Sequence, residues 1–316
     1  MRLAGAFYTS ILLIFGIATI LYSADAELYY QSAQEDRLLE WLTFWLFVAA
    51  AALFFRNAIA DRRDRGGLPW FAAGLGIFCL LVGLEEISWG QRLLAYQPPD
   101  YFLDRNFQQE FNLHNVIDTK IRMLTMQAIL IGYGVLLSIA AAIPAFGRTL
   151  DRWRIVASPL MLAPGFAAIA LIYNWYPARF TGEWVEAAMG AAFLGVATAT
   201  QGGPEKALRV RQFATPALLA LLASFATVGA LRFQYGLDTE RIALTKREIT
   251  ALVSDFESPH VDTRCNIHKR LYTFMQEYNQ PFLAGGAFAE QVRQAGDSTR
   301  ADYLIDPWHS PYWVRH

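Results

Sequence analysis

Seven apolar runs, each close to 20 residues long, set the terms on which this 316-residue chain can fold. They cover roughly residues 4–24, 39–56, 69–90, 122–145, 157–175, 184–201 and 213–232. A helix of about 20 apolar residues crosses about 30 Å of hydrocarbon. In that medium each segment must satisfy its own backbone N–H and C=O groups, and continuous rather than alternating runs do so as helices. Composition agrees, because only 17% of residues are charged, against about 25% in soluble domains. The sequence therefore predicts an all-α polytopic membrane protein. A seven-helix transmembrane bundle occupies residues 1–232, and a small α(+β) extracytoplasmic domain occupies 233–316. The net charge of -1 gives no basic footprint for nucleic acid, so no nucleic-acid partner is expected.

The loops set the orientation. Arg2, Arg56, Arg62, Arg63, Arg65, Arg148, Arg152, Arg154, Lys206, Arg209 and Arg211 fall on one side, eleven in all. The opposite short loops carry six: Arg37, Arg92, Arg105, Lys120, Arg122 and Arg179. The richer side is cytoplasmic. The N-terminus is then cytoplasmic, and in a bacterium the C-terminal 84 residues are periplasmic, on the outer side of the inner membrane. Ala24-Asp25-Ala26 resembles a signal-peptide cleavage site, but the long apolar stretch and single basic residue before it favour an uncleaved anchor. Cys79 lies in an apolar run and Cys265 in the polar tail, so no disulfide between them is expected.

Acidic residues gather on the outer side. Glu85 and Glu86 lie within GLEEISWGQR (Gly83–Arg92), near the far end of the third run. Ionisable groups at membrane depth are costly and commonly mark a function, with ion pairing as the ordinary alternative. Adjacent helical residues point about 100° apart, so one of the pair is expected to face the bundle and the other a pairing partner such as Arg92. Glu40 opens the second span, and Glu183 and Glu186 open the sixth at i, i+3 on one face. These three, with Trp89, Gln91 and Arg92, are candidate pocket residues.

A second polar segment, QQEFNLHN (Gln108–Asn115), precedes the fourth span. In a helix, Glu110 and His114 would share a face, as two ligands to one metal or an acid/base pair require. Capping by Asn112 or Asn115, with a local Glu110–His114 pair, explains the same residues. On the metal reading, Glu110 and His114 need a third ligand from Glu85, Glu86, Glu40 or Glu183, with Glu86 the first choice, and the cofactor is a divalent ion such as Mg²⁺, Mn²⁺ or Zn²⁺. Glu85, Glu86 and His114 are the candidate catalytic groups. There is no Gly-rich phosphate loop, H-E-x-x-H or G-x-S-x-G. The tryptophans mostly suit an interfacial aromatic belt.

Helical spacing continues through 237–256 and again over 263–278, and the tail ends in YLIDPWHSPYWV. Asp306, Pro307, Trp308, Ser310, Pro311 and Tyr312 resemble the D-P-W-G-x-P-Y turn of type II secretion major pseudopilins, with His309 in place of the usual Gly. That resemblance implies a local fold only, since nothing before Phe213 resembles a prepilin peptidase signal. EDRLLEWLT (Glu35–Thr43), EEISWGQR (Glu85–Arg92) and NLHN (Asn112–Asn115) resemble a family of uncharacterised bacterial multi-span inner-membrane proteins. This second resemblance covers the first 120 residues and implies no activity. A fainter likeness, to the alkaline ceramidase superfamily, fails because the seventh span has no His.

Three function classes fit. One is an enzyme or binding protein acting on a lipid or lipid-linked substrate, with membrane lipids as its surroundings. A second is a cation- or proton-coupled transporter, although no inverted repeat is visible. The third is a structural or assembly subunit that meets an envelope protein partner through its tail.

Overall fold

The computed structural model describes residues 2–33, 37–94, 99, 101–102, 111–113, 116–201 and 206–234, and the described residues are helices, turns and loops without a strand. The tail readings, from Leu237 to the Asp306–Tyr312 turn and including Cys265, lie outside the described residues. Among the described residues, four helices are long and apolar enough to cross a membrane: Leu3–Ala24, Leu38–Arg65, Thr119–Ala142 and Val210–Leu231. Leu160–Trp175 is apolar but shorter.

In chain order, α1 is Arg2–Ala24, α2 Ala26–Ser32, α3 Leu38–Arg65 and α4 Trp70–Glu86. A short helix, α5, covers Gln91–Leu94. Then α6 covers Thr119–Ala142, α7 Pro144–Arg152, α8 Ala163–Trp175, α9 Thr181–Ala199 and α10 Lys206–Gln234. Contacts divide the chain into two compact units. Met1–Tyr96 with Arg105–Gly229 forms the helical body described below. Gln97–Asp104 with Ala230–His316 forms the other unit, in which Tyr101 and Phe102 meet edge to face.

The helical body is built around α9. Every residue from Ala187 to Thr198 is buried, the pattern of a helix enclosed on all sides. Helices α1, α3 and α8 pack against it, and α4 packs on α3. Small residues allow this closeness, as they do between packed membrane helices. The Phe55 ring occupies the space beside Gly76, where an added Cβ would come within 2.8 Å of it. Leu46 lies 3.0 Å from the corresponding position at Gly190, and Phe7 fills the hollows at Gly165 and Gly195. Hydrogen bonds add cross-links: Asn57 Nδ2 donates to the Ala197 carbonyl at 2.8 Å, and Trp45 Nε1 to Thr227 Oγ1 at 3.1 Å.

Helix α6 is not uniform. Residues Ala128–Leu136 form wide π-helical turns, with the Leu137 N–H bonded to the Gly132 carbonyl. There Tyr133 stacks on Phe193 of α9, with centroids 5.6 Å apart and planes 3° off parallel. Phe71 of α4 also stacks near Tyr133, with centroids 6.4 Å apart. Phe166 of α8 presses against Gly134, where a Cβ would collide with the ring. The fourth apolar run therefore starts earlier than the sequence suggests, at Thr119 behind the Asp118 cap. It ends earlier too, at Ala142, because Pro144 forces Ile143 into an extended conformation.

Candidate functional site

The two adjacent acids at the end of α4 do different things. Glu85 accepts two short hydrogen bonds, from Trp89 Nε1 at 2.7 Å and from the Leu113 N–H at 2.6 Å. Around it the chain reverses through Ser88, Trp89 and Gly90, at φ +47°, +56° and +76°. Only Gly takes such values without steric cost. The turn exposes three more groups that grip the 111–113 loop. Gln91 Oε1 accepts from the Phe111 N–H at 2.8 Å, Asn112 Nδ2 donates to Ser88 Oγ at 3.0 Å, and the Trp89 and Phe111 rings meet at 6.1 Å. Most of EEISWGQR is therefore a clamp on the FNL segment. The third run stops as a helix at Glu86 rather than continuing to residue 90.

Glu86 turns elsewhere. Its carboxylate meets those of Glu183 and Glu186, with one oxygen from each lying within 4.8 Å of the others. All three side chains are half-buried. Glu186, Glu183, Glu40 and Glu85 all act electrostatically on Glu86. The convergence follows from helix ends. Glu86 is the last residue of α4, Glu183 and Glu186 lie in the first two turns of α9, and Glu40 lies in the first turn of α3. Glu40, Glu183 and Glu186 each make additional polar or electrostatic contacts.

Aromatic side chains border this end. Tyr29 of α2 stacks on Trp184 at 6.0 Å with planes 10° apart, and its hydroxyl donates to the Arg179 carbonyl at 2.8 Å. Asp25 caps α2 by accepting from the Leu28 N–H at 2.9 Å. Burial pushes the pKa of the Tyr29 hydroxyl up, with a smaller push from Glu183. Trp41 and Trp184, each next to a site acid in sequence, have buried indole N–H groups without a hydrogen-bond partner among the described residues.

Three carboxylates this close cannot all stay ionised without compensation. At an effective dielectric of about 20, two unit charges 4.8 Å apart repel by about 3.5 kcal/mol. That repulsion has to be offset by protons, by a cation or by the further polar and electrostatic contacts that Glu183 and Glu186 make. Oxygens on opposite sides of a Ca²⁺ ion are about 4.6–5.2 Å apart, twice its 2.3–2.6 Å bond length, and Mg²⁺ requires slightly closer approach. The donor set of Glu86, Glu183 and Glu186 is all oxygen, which suits hard cations such as Mg²⁺, Ca²⁺ or Mn²⁺.

Of the sequence-derived candidates, Glu40, Glu86, Glu183 and Glu186 gather at one end of the helices. Glu85, Trp89 and Gln91 belong to the clamp. Glu110, His114 and the Arg92 side chain lie outside the described residues. From the sequence, Glu183 and Glu186 are pocket residues, and Glu183 is one of four acids that could supply a third ligand beside Glu110 and His114. Their i, i+3 spacing was the only signal, and nothing local tied them to Glu86. No family model, no curated protein and no solved structure matches this chain.

Proposed function

We propose that this chain is a bacterial inner-membrane protein whose outward-facing acidic cluster holds a divalent cation and, through it, binds an anionic lipid or lipid-linked substrate. Seven membrane crossings are part of the proposal, with the N-terminus cytoplasmic and the C-terminal region periplasmic, as basic-residue alternation suggests. One observation supports the reading above all: Glu86, Glu183 and Glu186 bring carboxylate oxygens within 4.8 Å of one another from two separate helices. A cation there neutralises the cluster and leaves coordination positions for phosphate oxygens, since hard divalent ions take six or more oxygen ligands. Glu40 adds negative field at the same end.

The test is Mn²⁺ titration of the full chain in nanodiscs after chelation, following free Mn²⁺ by its paramagnetic resonance signal. One bound ion per chain is expected, displaced by Mg²⁺ or Ca²⁺. Binding should weaken at least tenfold in Glu86→Gln and Glu186→Gln. Unchanged binding in a Glu86→Gln/Glu183→Gln/Glu186→Gln variant overturns the cation site. Proton-dependent cation flux through vesicles carrying the protein would move the assignment to transport.

A further inference from the structure

Helix α7, Pro144–Arg152, has no buried residue. Its side chains are nevertheless sorted. At 100° per residue, Phe146, Leu150 and Trp153 fall within an arc of about 60°, while Arg148, Asp151 and Arg152 cluster on the far side. Phe146 is 58% exposed and Trp153 62% exposed. Two large aromatic groups on one stripe form a surface that water solvates poorly.

Chain geometry fixes where this stripe lies. Ile143 alone separates α7 from α6, one of the four helices long enough to cross a membrane. Gly147 passes so close to the end of α6 that an added Cβ would come within 2.7 Å of the Ala141 carbonyl oxygen. The other end is pinned: Trp70 Nε1, at the start of α4, donates to the Trp153 carbonyl at 2.9 Å. Arg65 at the end of α3 reaches Asp151 at 2.8 Å and Asp61 at 3.3 Å, and Arg154 reaches Asp61 at 3.5 Å.

Charge is distributed to match. The latch of Arg65, Arg154, Asp61 and Asp151 is neutral as a unit, so the one acid on α7 is answered inside the protein. Arg148 and Arg152 stay exposed beyond it, as do Arg62 and Arg63 on α3 against a single exposed Asp64. An apolar stripe backed by arginines on the opposite face, held at the end of a spanning helix, fits one kind of surface.

We infer that α7 is an interfacial helix on anionic lipid, with Phe146, Leu150 and Trp153 in the boundary between headgroups and acyl chains and Arg148 and Arg152 on lipid phosphates. This inference rests on the membrane-spanning reading but not on the acidic site.

The experiment uses the full chain in nanodiscs of mixed phosphatidylglycerol and phosphatidylcholine. Cys265→Ser removes the tail thiol, and Cys79 is fully buried. Spin labels are placed singly at Phe146, Leu150, Arg148, Arg152 and, as a reference, at the exposed Leu136 of α6. Collision with oxygen marks lipid, and collision with a water-soluble nickel complex marks water. Phe146 and Leu150 are expected to favour oxygen, less strongly than Leu136, while Arg148 and Arg152 favour nickel. Nickel access at Phe146 and Leu150 with oxygen access at Leu136 overturns the inference and leaves the spanning reading intact. Nickel access at Leu136 overturns both. Protection of Phe146 only in discs holding two copies gives the stripe to a second copy and overturns the lipid assignment. Lipid retained through purification gives a second readout. The phosphatidylglycerol preference of Arg148→Gln/Arg152→Gln should fall on the order of tenfold, and Arg148→Lys/Arg152→Lys should keep it. An unchanged preference in the glutamine variant overturns the role of the arginines.

Discussion

The neighbouring acids Glu85 and Glu86 should respond in opposite ways to neutralisation. Glu85→Ala removes the acceptor of two hydrogen bonds, of 2.7 and 2.6 Å. Bonds to a charged group contribute about 1.5–3 kcal/mol each. Glu85 is only half-buried, so water takes over part of the loss and about 3 kcal/mol is expected in all. Glu86→Gln instead takes one charge out of a cluster in which each ionised pair repels by about 3.5 kcal/mol at 4.8 Å. In chelator, Glu86→Gln should therefore melt at or above the wild type, and Glu85→Ala well below it. Added Mg²⁺ or Ca²⁺ should raise the wild type by about 2.7 kcal/mol at a hundred times its dissociation constant. Glu86→Gln should gain little, and Glu85→Ala should retain most of the cation response because its cluster is intact. The assay is thermal unfolding in nanodiscs across a cation series. If Glu85→Ala melts with the wild type, the clamp contributes nothing. If Glu86→Gln is destabilised in chelator, the carboxylates are not repelling one another and the cation argument collapses.

Gly134→Ala pushes a methyl group into the Phe166 ring. It should cost about 1–3 kcal/mol by overpacking, read as a lower melting temperature. Arg65→Ala breaks the bonds to Asp61 and Asp151, but its side chain is 49% exposed. It should cost less than about 1 kcal/mol, within the range a double-mutant cycle with Asp151 can measure. Cys79 is fully buried, so a membrane-permeant maleimide should modify it only as fast as the protein opens. Rapid labelling in the native state would show that the α3–α4 packing is loose.

Much of this architecture is readable in the sequence because membrane helices are written in continuous apolar residues, and backbone satisfaction leaves no other local choice. The boundaries were harder. The third run stays apolar enough to suggest a helix to residue 90, yet Gly90 and two strained neighbours reverse the chain. The fourth run hid α7, because Ile143 and Ala145 read as more of the same span while Pro144 ends it. Arg148 and Arg152 were legible as topology markers but not as one face of a helix. At the site, helical geometry was enough to expect that Glu85 and Glu86 diverge. It could not say which would turn inward, since that depends on a loop 28 residues further along the chain. The meeting of Glu86 with Glu183 and Glu186 is a long-range event with no local trace.

Helix α9 raises a question of assembly. Its middle is mostly alanine and glycine, its first turns hold two acids, and it presents no face to lipid between Ala187 and Thr198. Such a segment gains little from hydrocarbon and cannot settle in a bilayer by itself as a leucine-rich helix can. The helices packed around it, α1, α3 and α8, all precede it in the chain. During synthesis from the N-terminus, the groove that receives α9 is therefore made before α9 emerges. The order of translation supplies what the composition of this helix withholds, and a circular permutant that begins at α9 would have to insert its least membrane-competent segment first.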